Sequence, residues 1–583
     1  MGTGYTRNDG SNNIADGNVI NASDLDGEFD AVVSAFGTSG HTHDGTAAEG
    51  GPVTVLGPVQ DFVATATEIK PKTTNTLSIG TASLQFKDLY IDGTANIDNI
   101  VVDGTVNIQA THPTGTSNVG FGSGTFENIE AGGTLNTAMG VNALQDLTTG
   151  DNNTAIGYQT ALNATTASGT IAVGSQAIGL GITTGNYNTA IGYQSGYDLT
   201  SGTYNFFGGA QAGANATTAT GTTALGYIAL GTGVLTGNYN TAVGYQAGQD
   251  LTSGTYNFFG GYSAGANVTT ADYTIAIGSQ AIGLGVTTGD YNIALGRFAG
   301  YDLTSGANNF FAGSYAGFNV TTGIYNISQG YQAGYTATTG SYNIFQGFGA
   351  GYNATTVSST IAIGRNAIGL GVLTGDHNVA IGYQTGYDLT SGTYNIFSGY
   401  QAGANVTTGV GNVFSGYQAG EFATTSNYGI AIGYNAIGLG VLTGTDNTAI
   451  GRGAGADLTS GTYNNFIGNG AGANVTTADN TVAIGRSAIG LGVLTGDNNV
   501  AIGYNAGYDL TSGHNNFFGG YRAGFNVTTG IYNISQGFEA GYDATTGSYN
   551  IFQGYHAGYN ATTVSNSIGI GRSAFGSGVL TGA

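Results

Sequence analysis

From about residue 140 onward one glycine returns at every 17th or 18th position. It can be followed from Gly157 through Gly174, Gly192, Gly209, Gly226 and Gly244 to Gly554 and Gly571, and no interval departs from 17 or 18. Three units often close a 52-residue superunit, as from Gly192 to Gly244 to Gly296. A longer echo is nearly verbatim: "GFNVTTGIYNISQG" at 317–330 returns at 524–537, an offset of 207. A short period held over about 440 residues calls for stacked copies of one small element, a solenoid, and not for a set of globular domains.

The unit itself selects the kind of solenoid. It reads roughly Tyr-Asn-Thr-Ala-Ile-Gly-Tyr-Gln-Ala-Gly, then Leu-Thr-Ser-Gly. In "NTAIGY" (188–193), Thr189, Ile191 and Tyr193 fall on one side of a strand and Ala190 and Gly192 on the other. The small face admits another backbone at close range. The Thr-Gly and Ser-Gly pairs punctuate turns. Helix is excluded by glycine density and by the lack of a sustained 3.6 period. One unit per coil would stack identical positions at the strand spacing, so about 25 units make a rod of roughly 120 Å. Asn, Thr and Tyr would then form ladders, with Asn at coil corners bonded to its copy above.

Composition agrees and removes other classes. Glycine is 107 of 583 residues and aromatics are 11%, with 37 Tyr and 26 Phe. Collagen would need Gly at every third position and abundant Pro, but Pro numbers only 4. Charged residues are 7% and net charge is −23, with Lys70, Lys72 and Lys87 the only lysines and six Arg after residue 100. Phosphate neutralisation needs clustered cations, so nucleic acid is not an expected partner. Cysteine is absent, so no disulfide framework or thiolate metal site is available. No stretch of 18 apolar residues occurs, so no membrane insertion is expected, and the N-terminus has no apolar core of a secretion signal.

The chain changes character near residue 120, before which all four prolines and all three lysines lie. Residues 1–60 read as one region, 61–120 as a short β-rich connector, and 121–583 as the repeat shaft. In "ASDLDGEFDAVVSAFG" (22–37), Ser23 and Asp26 fit a capping box, and Leu25, Phe29, Val32, Val33 and Phe36 make one apolar stripe. A short helix is predicted there. "TTNTLSIGTASLQFKDLYIDGTANIDNIVVDGTVNI" (73–108) reads as short alternating strands with Asp-Gly turns. The fold class expected is all-β: a Gly-rich parallel β-solenoid or β-roll shaft of 17–18-residue repeats, with a small α+β N-terminal adaptor.

The "NTAIGYQAG…LTTG" units resemble the head repeats of trimeric autotransporter adhesins, though those are a few residues shorter. They are more similar to the repeat arrays of tail fibre proteins of marine podoviruses. "YTRNDGSNNIADGNVINASDLDGEFDAVVSAFGTSGHTHDGTAAEGGPV" (5–53) looks like the virion-attachment region of such fibres, and "TNTLSIGTASLQFKDLYIDGTANID" (74–98) like the motif that follows it. The resemblance implies a homotrimer in the virion, located at the phage tail. Its N-terminus would dock on tail adaptor or nozzle proteins, and its distal end would meet a host surface receptor or a separate tip protein. The near-copy of 207 residues stops at Ala583, where "DHNVAIG" (376–382) would begin. Either the chain is part of a longer protein or the tip is another polypeptide. The alternative in the same shape class is a cell-surface trimeric adhesin head.

Candidate sites are few. His41 and His43 in "GHTHDG" lie at i and i+2, so an extended strand would turn both imidazoles to one side. The threefold axis implied by the resemblance would gather six, enough for an octahedral transition metal. The alternative is a turn after the helix, hydrogen-bonded to Asp44. No other cofactor is expected. Catalysis on polysaccharide would need two carboxylates about 5 to 9.5 Å apart. The array acids instead recur in register, as Asp198, Asp250, Asp302, Asp388 and Asp509 in "DLTSG", and Glu421 and Glu539 read as turn residues without partners. No enzyme is expected. Threonine rows could bind ice, but the "NATT" and "NVTT" pairs abut turns and would present an irregular surface.

Overall fold

The computed structural model describes residues 117–575 apart from residue 131, residue 578, and the backbone of three short strands before residue 72. The chain divides into two units, Met1–Val106 and Asn107–Ala583. In the first, β1 (Val55–Leu56), β2 (Phe62–Ala64) and β3 (Ile69–Pro71) form an antiparallel sheet in that order. The helix predicted at 22–37 and the strands predicted over 73–108 lie outside the described residues.

The second unit is the parallel β-solenoid that the period implies, and no helix occurs among its described residues. Its 27 strands run from β4 (Val119–Phe121) to β30 (Ile568–Ile570), one strand per coil. Each strand between these two pairs in parallel and in register with the strand before and the strand after it. Thus β8 (Thr189–Ile191) pairs with β9 (Phe206–Gly208), which pairs with β10 (Thr223–Leu225). No pairing joins β4 to β30, so the strands form one open run.

The repeating glycine exists because nothing else fits. Gly192 has φ +137°, a region closed to side chains, and a Cβ built there would lie 2.5 Å from the carbonyl oxygen of Gly209 in the next coil. Every coil thus touches the next through bare backbone at this point. Alternation supplies the rest: Ala190 is fully buried while Thr189 and Ile191 face outward. Three further positions take left-handed backbone, at Tyr187 (φ 57°), Gln194 (φ 52°) and Gly196 (φ 58°).

The core is filled by a size rule between coils. Where the strand centre is Phe207, the ring lies against Gly196 of the preceding coil and Gly213 of its own; an added Cβ would meet it at 2.8 and 2.5 Å. Where the centre is Ala224, the position equivalent to those glycines is Leu230, which is fully buried. Large and small residues therefore interdigitate along the axis, as close packing requires. Phe259, Phe311, Phe397, Phe466 and Phe518 repeat the arrangement.

A buried asparagine ladder runs beside the strands. Asn309, Asn326 and Asn343 each donate the backbone N–H and the side-chain Nδ2 to the Oδ1 of the asparagine one coil before, at 3.0–3.1 Å. The same Nδ2 groups also reach the carbonyls of Gly323, Gly340 and Val357. The bonding of each Asn to its copy follows expectation, but its place does not. These residues are buried within the coil, and the left-handed corner belongs to the exposed residue just before them, as at Tyr187 before Asn188. Thr360 ends this run of rungs by donating only its N–H to Asn343 Oδ1, since a hydroxyl is too short to span both partners.

Candidate functional site: the outward sheet face and its ladders

Positions one and three of each strand project outward, and they are mostly β-branched. Ile191, Ile277, Ile381 and Ile502 are each 42–45% exposed. Period-two alternation puts them there, because Ala or Phe at position two takes the inside. A parallel sheet with one apolar face open is unusual, since such sheets are normally covered on both sides.

Three aromatic rows run along the same unit. The first is the residue before the ladder asparagine: Tyr239, Tyr256, Tyr273 and Tyr291 stack with centroids 5.0 Å apart. The second follows the repeating glycine: Tyr383, Tyr400, Tyr417 and Tyr434 stack at 4.9–5.0 Å. The third lies four residues further on: Tyr301, Phe318, Tyr335 and Tyr352 stack at 5.0–5.1 Å. The coil rise imposes this spacing, which is close to the strand spacing of about 4.8 Å and suits offset ring stacking.

The six arginines of the array are confined to one stripe. Arg297, Arg365, Arg452, Arg486 and Arg572 each directly follow a repeating glycine and so replace a second-row aromatic; Arg522 is one residue further along. Each guanidinium sits 4.7–5.9 Å from an aromatic centroid, a cation–π distance. A count of these cations does not reveal that they share a row. The signal is nevertheless in the sequence, because all but one follow the same glycine.

The structure corrects the reading of Glu539. It has partners in both adjacent coils: Arg522 Nη1 at 3.6 Å and His556 Nε2 at 2.9 Å. The threonine pairs are also engaged, as in Thr200 Oγ1 donating to the Thr217 carbonyl at 2.9 Å and Thr252 Oγ1 to that of Thr269 at 3.0 Å. In "NATT", Asn163 Nδ2 donates to the Leu180 carbonyl at 2.8 Å. His41 and His43 lie outside the described residues. Among the described residues, no group of three or more His, Asp or Glu is placed to hold a metal ion.

The recurring acids Asp198, Asp302, Asp388 and Asp509 carry carboxyls raised above the usual value by burial. A raised folded-state pKa means that the native protein holds the proton more tightly than the unfolded chain. The burial penalty is therefore full above the raised value and is relieved as pH falls through it toward the unfolded value of about 3.9. Replacing all four with Asn is expected to raise the thermal midpoint at pH 7 and to remove part of the wild-type gain between pH 7 and about 4. Parallel melting curves for the two proteins across that range would contradict this.

Comparison with known proteins finds no family model that matches the chain and no similar curated protein.

Proposed function

We propose that this chain is a structural, non-enzymatic tail fibre of a virus that infects bacteria. In this reading three copies form a shaft, the N-terminal region docks on tail adaptor or nozzle proteins, and the shaft holds a host-recognition end away from the particle. The observation that carries the proposal is the open outward face of a 27-strand parallel sheet. Three strand residues make a strip about 10 Å wide, and the run of coils makes it about 125 Å long. The resulting area, about 1,250 Å² per chain, exceeds the roughly 800 Å² per partner of a stable interface. A partner that matches every row must share the coil rise over the whole length, which a second and third copy of this chain do. Low charge supports the same reading, because like charges repeated in register would repel at every coil.

The test is the mass in solution, by light scattering coupled to gel filtration. Wild type is expected at threefold the 58.4 kDa chain mass, eluting as an elongated particle. Ile381→Asp with Ile502→Asp is expected to give a lower mass with an unchanged far-ultraviolet spectrum. A wild-type monomer would overturn the assembly and the fibre with it.

A further inference from the structure

Three rows thin out at the same coils, and a groove of about 460 Å³ opens there. The second aromatic row runs Tyr400, Tyr417, Tyr434 and then breaks, with Arg452, Asn469 and Arg486 in place of rings before Tyr504 resumes it. The third row is reduced to Ala456 and Ala473 at this point. Between them runs a glutamine ladder in which each Nε2 donates to the Oε1 one coil before, as from Gln418 to Gln401 at 3.3 Å. That ladder meets Asn435, then Gly453 and Gly470. A Cβ added to Gly453 would meet nothing within 4 Å.

The interruption leaves an acceptor without a donor. Asn435 Oδ1 is buried and makes no hydrogen bond, since the glutamine that would donate to it from the next coil is Gly453. The chain contains its own control, 207 residues earlier. There the positions of Arg452 and Asn469 are held by Tyr245 and Tyr262, stacked at 5.2 Å and only 5° from parallel.

We propose that this groove binds a segment of acidic oligosaccharide. Tyr434, half exposed at the groove's end, has Tyr417 stacked on its ring and the Arg452 guanidinium over it, so it offers its phenol hydroxyl, a donor and acceptor for sugar hydroxyls. Asn435 Oδ1 and the Asp457 carboxylate, both on the lining, accept from sugar hydroxyls. Arg452 and Arg486 are exposed, have no ion pair among the described residues, and lie two coils apart, about 10 Å along the axis. They match acidic groups on successive parts of an extended chain, with charge-assisted hydrogen bonds to carboxylate or sulfate. Asp457 disfavours an anion beside it and accepts only hydroxyls, so the acid groups belong at the two arginines. None of the lining residues belongs to a strand, so the groove lies beside the strip of strand residues proposed for assembly and not within it.

The experiment is calorimetric titration of the full chain, in its native assembly, with oligogalacturonate, a sulfated oligosaccharide and a neutral glucose oligomer. Wild type is expected to bind at least one acidic probe, more weakly as salt rises, and to bind the neutral one at least about tenfold more weakly. Gly453→Gln with Gly470→Gln places glutamine, which holds this position in other coils at similar left-handed backbone, and is expected to abolish binding while the far-ultraviolet spectrum stays that of the folded solenoid. Arg452→Tyr with Arg486→Ser installs the residues found 207 positions earlier and is expected to remove the preference for acid. Whichever acidic probe binds identifies the acid group. Equal binding of neutral and acidic probes, no binding of either acidic probe, or unchanged binding by the glutamine variant would each overturn the proposal.

Discussion

Gly399→Ala is expected to split the solenoid between β20 (Ile396–Ser398) and β21 (Val413–Ser415). Two costs fall on one methyl group. Gly399 has φ +129°, where a side chain is strained by about 1–3 kcal/mol, and the new Cβ would lie 2.3 Å from the carbonyl oxygen of Gly416. That neighbour is backbone held in the next coil, so it can retreat only by giving up the stacking on either side. The total is expected to exceed about 3 kcal/mol. In a repeat architecture each coil interacts only with its neighbours, so the loss stays local and the flanking rods remain folded. Limited proteolysis should give two resistant fragments with the cut between residues 399 and 416. The control is Gly453→Ala, where φ is +63° and the Cβ would meet nothing within 4 Å. It should cost about 1–2 kcal/mol, the ordinary penalty of left-handed alanine. Equal protease resistance in Gly399→Ala and wild type would show that the glycine row does not set the coil spacing.

That row explains why so much of the fold is legible in the sequence. A glycine demanded by both φ and contact cannot drift, so its period survives in the text, and the alternation around it assigns Ala190 to the inside and Ile191 to the outside. Features that depend on two coils at once are harder to see. Phe207 needs Gly196, eleven residues before it, and Gly213, six after, and both spacings run through turns, where strand alternation does not carry over. Glu539 looks solitary in the sequence because its partners are not near it; yet Arg522 and His556 stand 17 residues to either side, one coil each way. The groove at Asn435 follows the same logic. Each substitution that makes it looks innocuous, and only folding the text onto its coil brings Gly453, Ala456 and Arg452 to one place. His41 and His43 stand out in the sequence by local spacing, a rule suited to an ordinary chain. In this chain the informative spacing is the coil period.

Asn326→Ala is the second large expected effect, and it tests what holds the interior together. The substitution keeps the backbone N–H to Asn309 Oδ1 but removes everything the side chain does. Asn343 loses the acceptor of its backbone N–H and one of the two partners of its Nδ2. The Gly340 carbonyl loses its side-chain donor. Asn326 and Asn343 are 0–2% exposed, so water does not replace these bonds. An orphaned buried group costs about 1–3 kcal/mol, and two such groups give about 4 kcal/mol. Thr360→Asn is the opposite experiment at the end of the same run. A longer side chain there can donate to Asn343 Oδ1 and accept from Asn378 across an 18-residue step, a step that Asn118 and Asn136 already make. It should stabilise by about 1 kcal/mol. Amide exchange at residue 343 for the first variant and at 378 for the second reads both locally, which matters because a stack of coils need not unfold in one step. Faster exchange in the first and slower in the second is expected. If Asn326→Ala cost less than about 1 kcal/mol, the asparagine ladder would only decorate the interior, and the glycine contacts and core rings would hold the coils together alone.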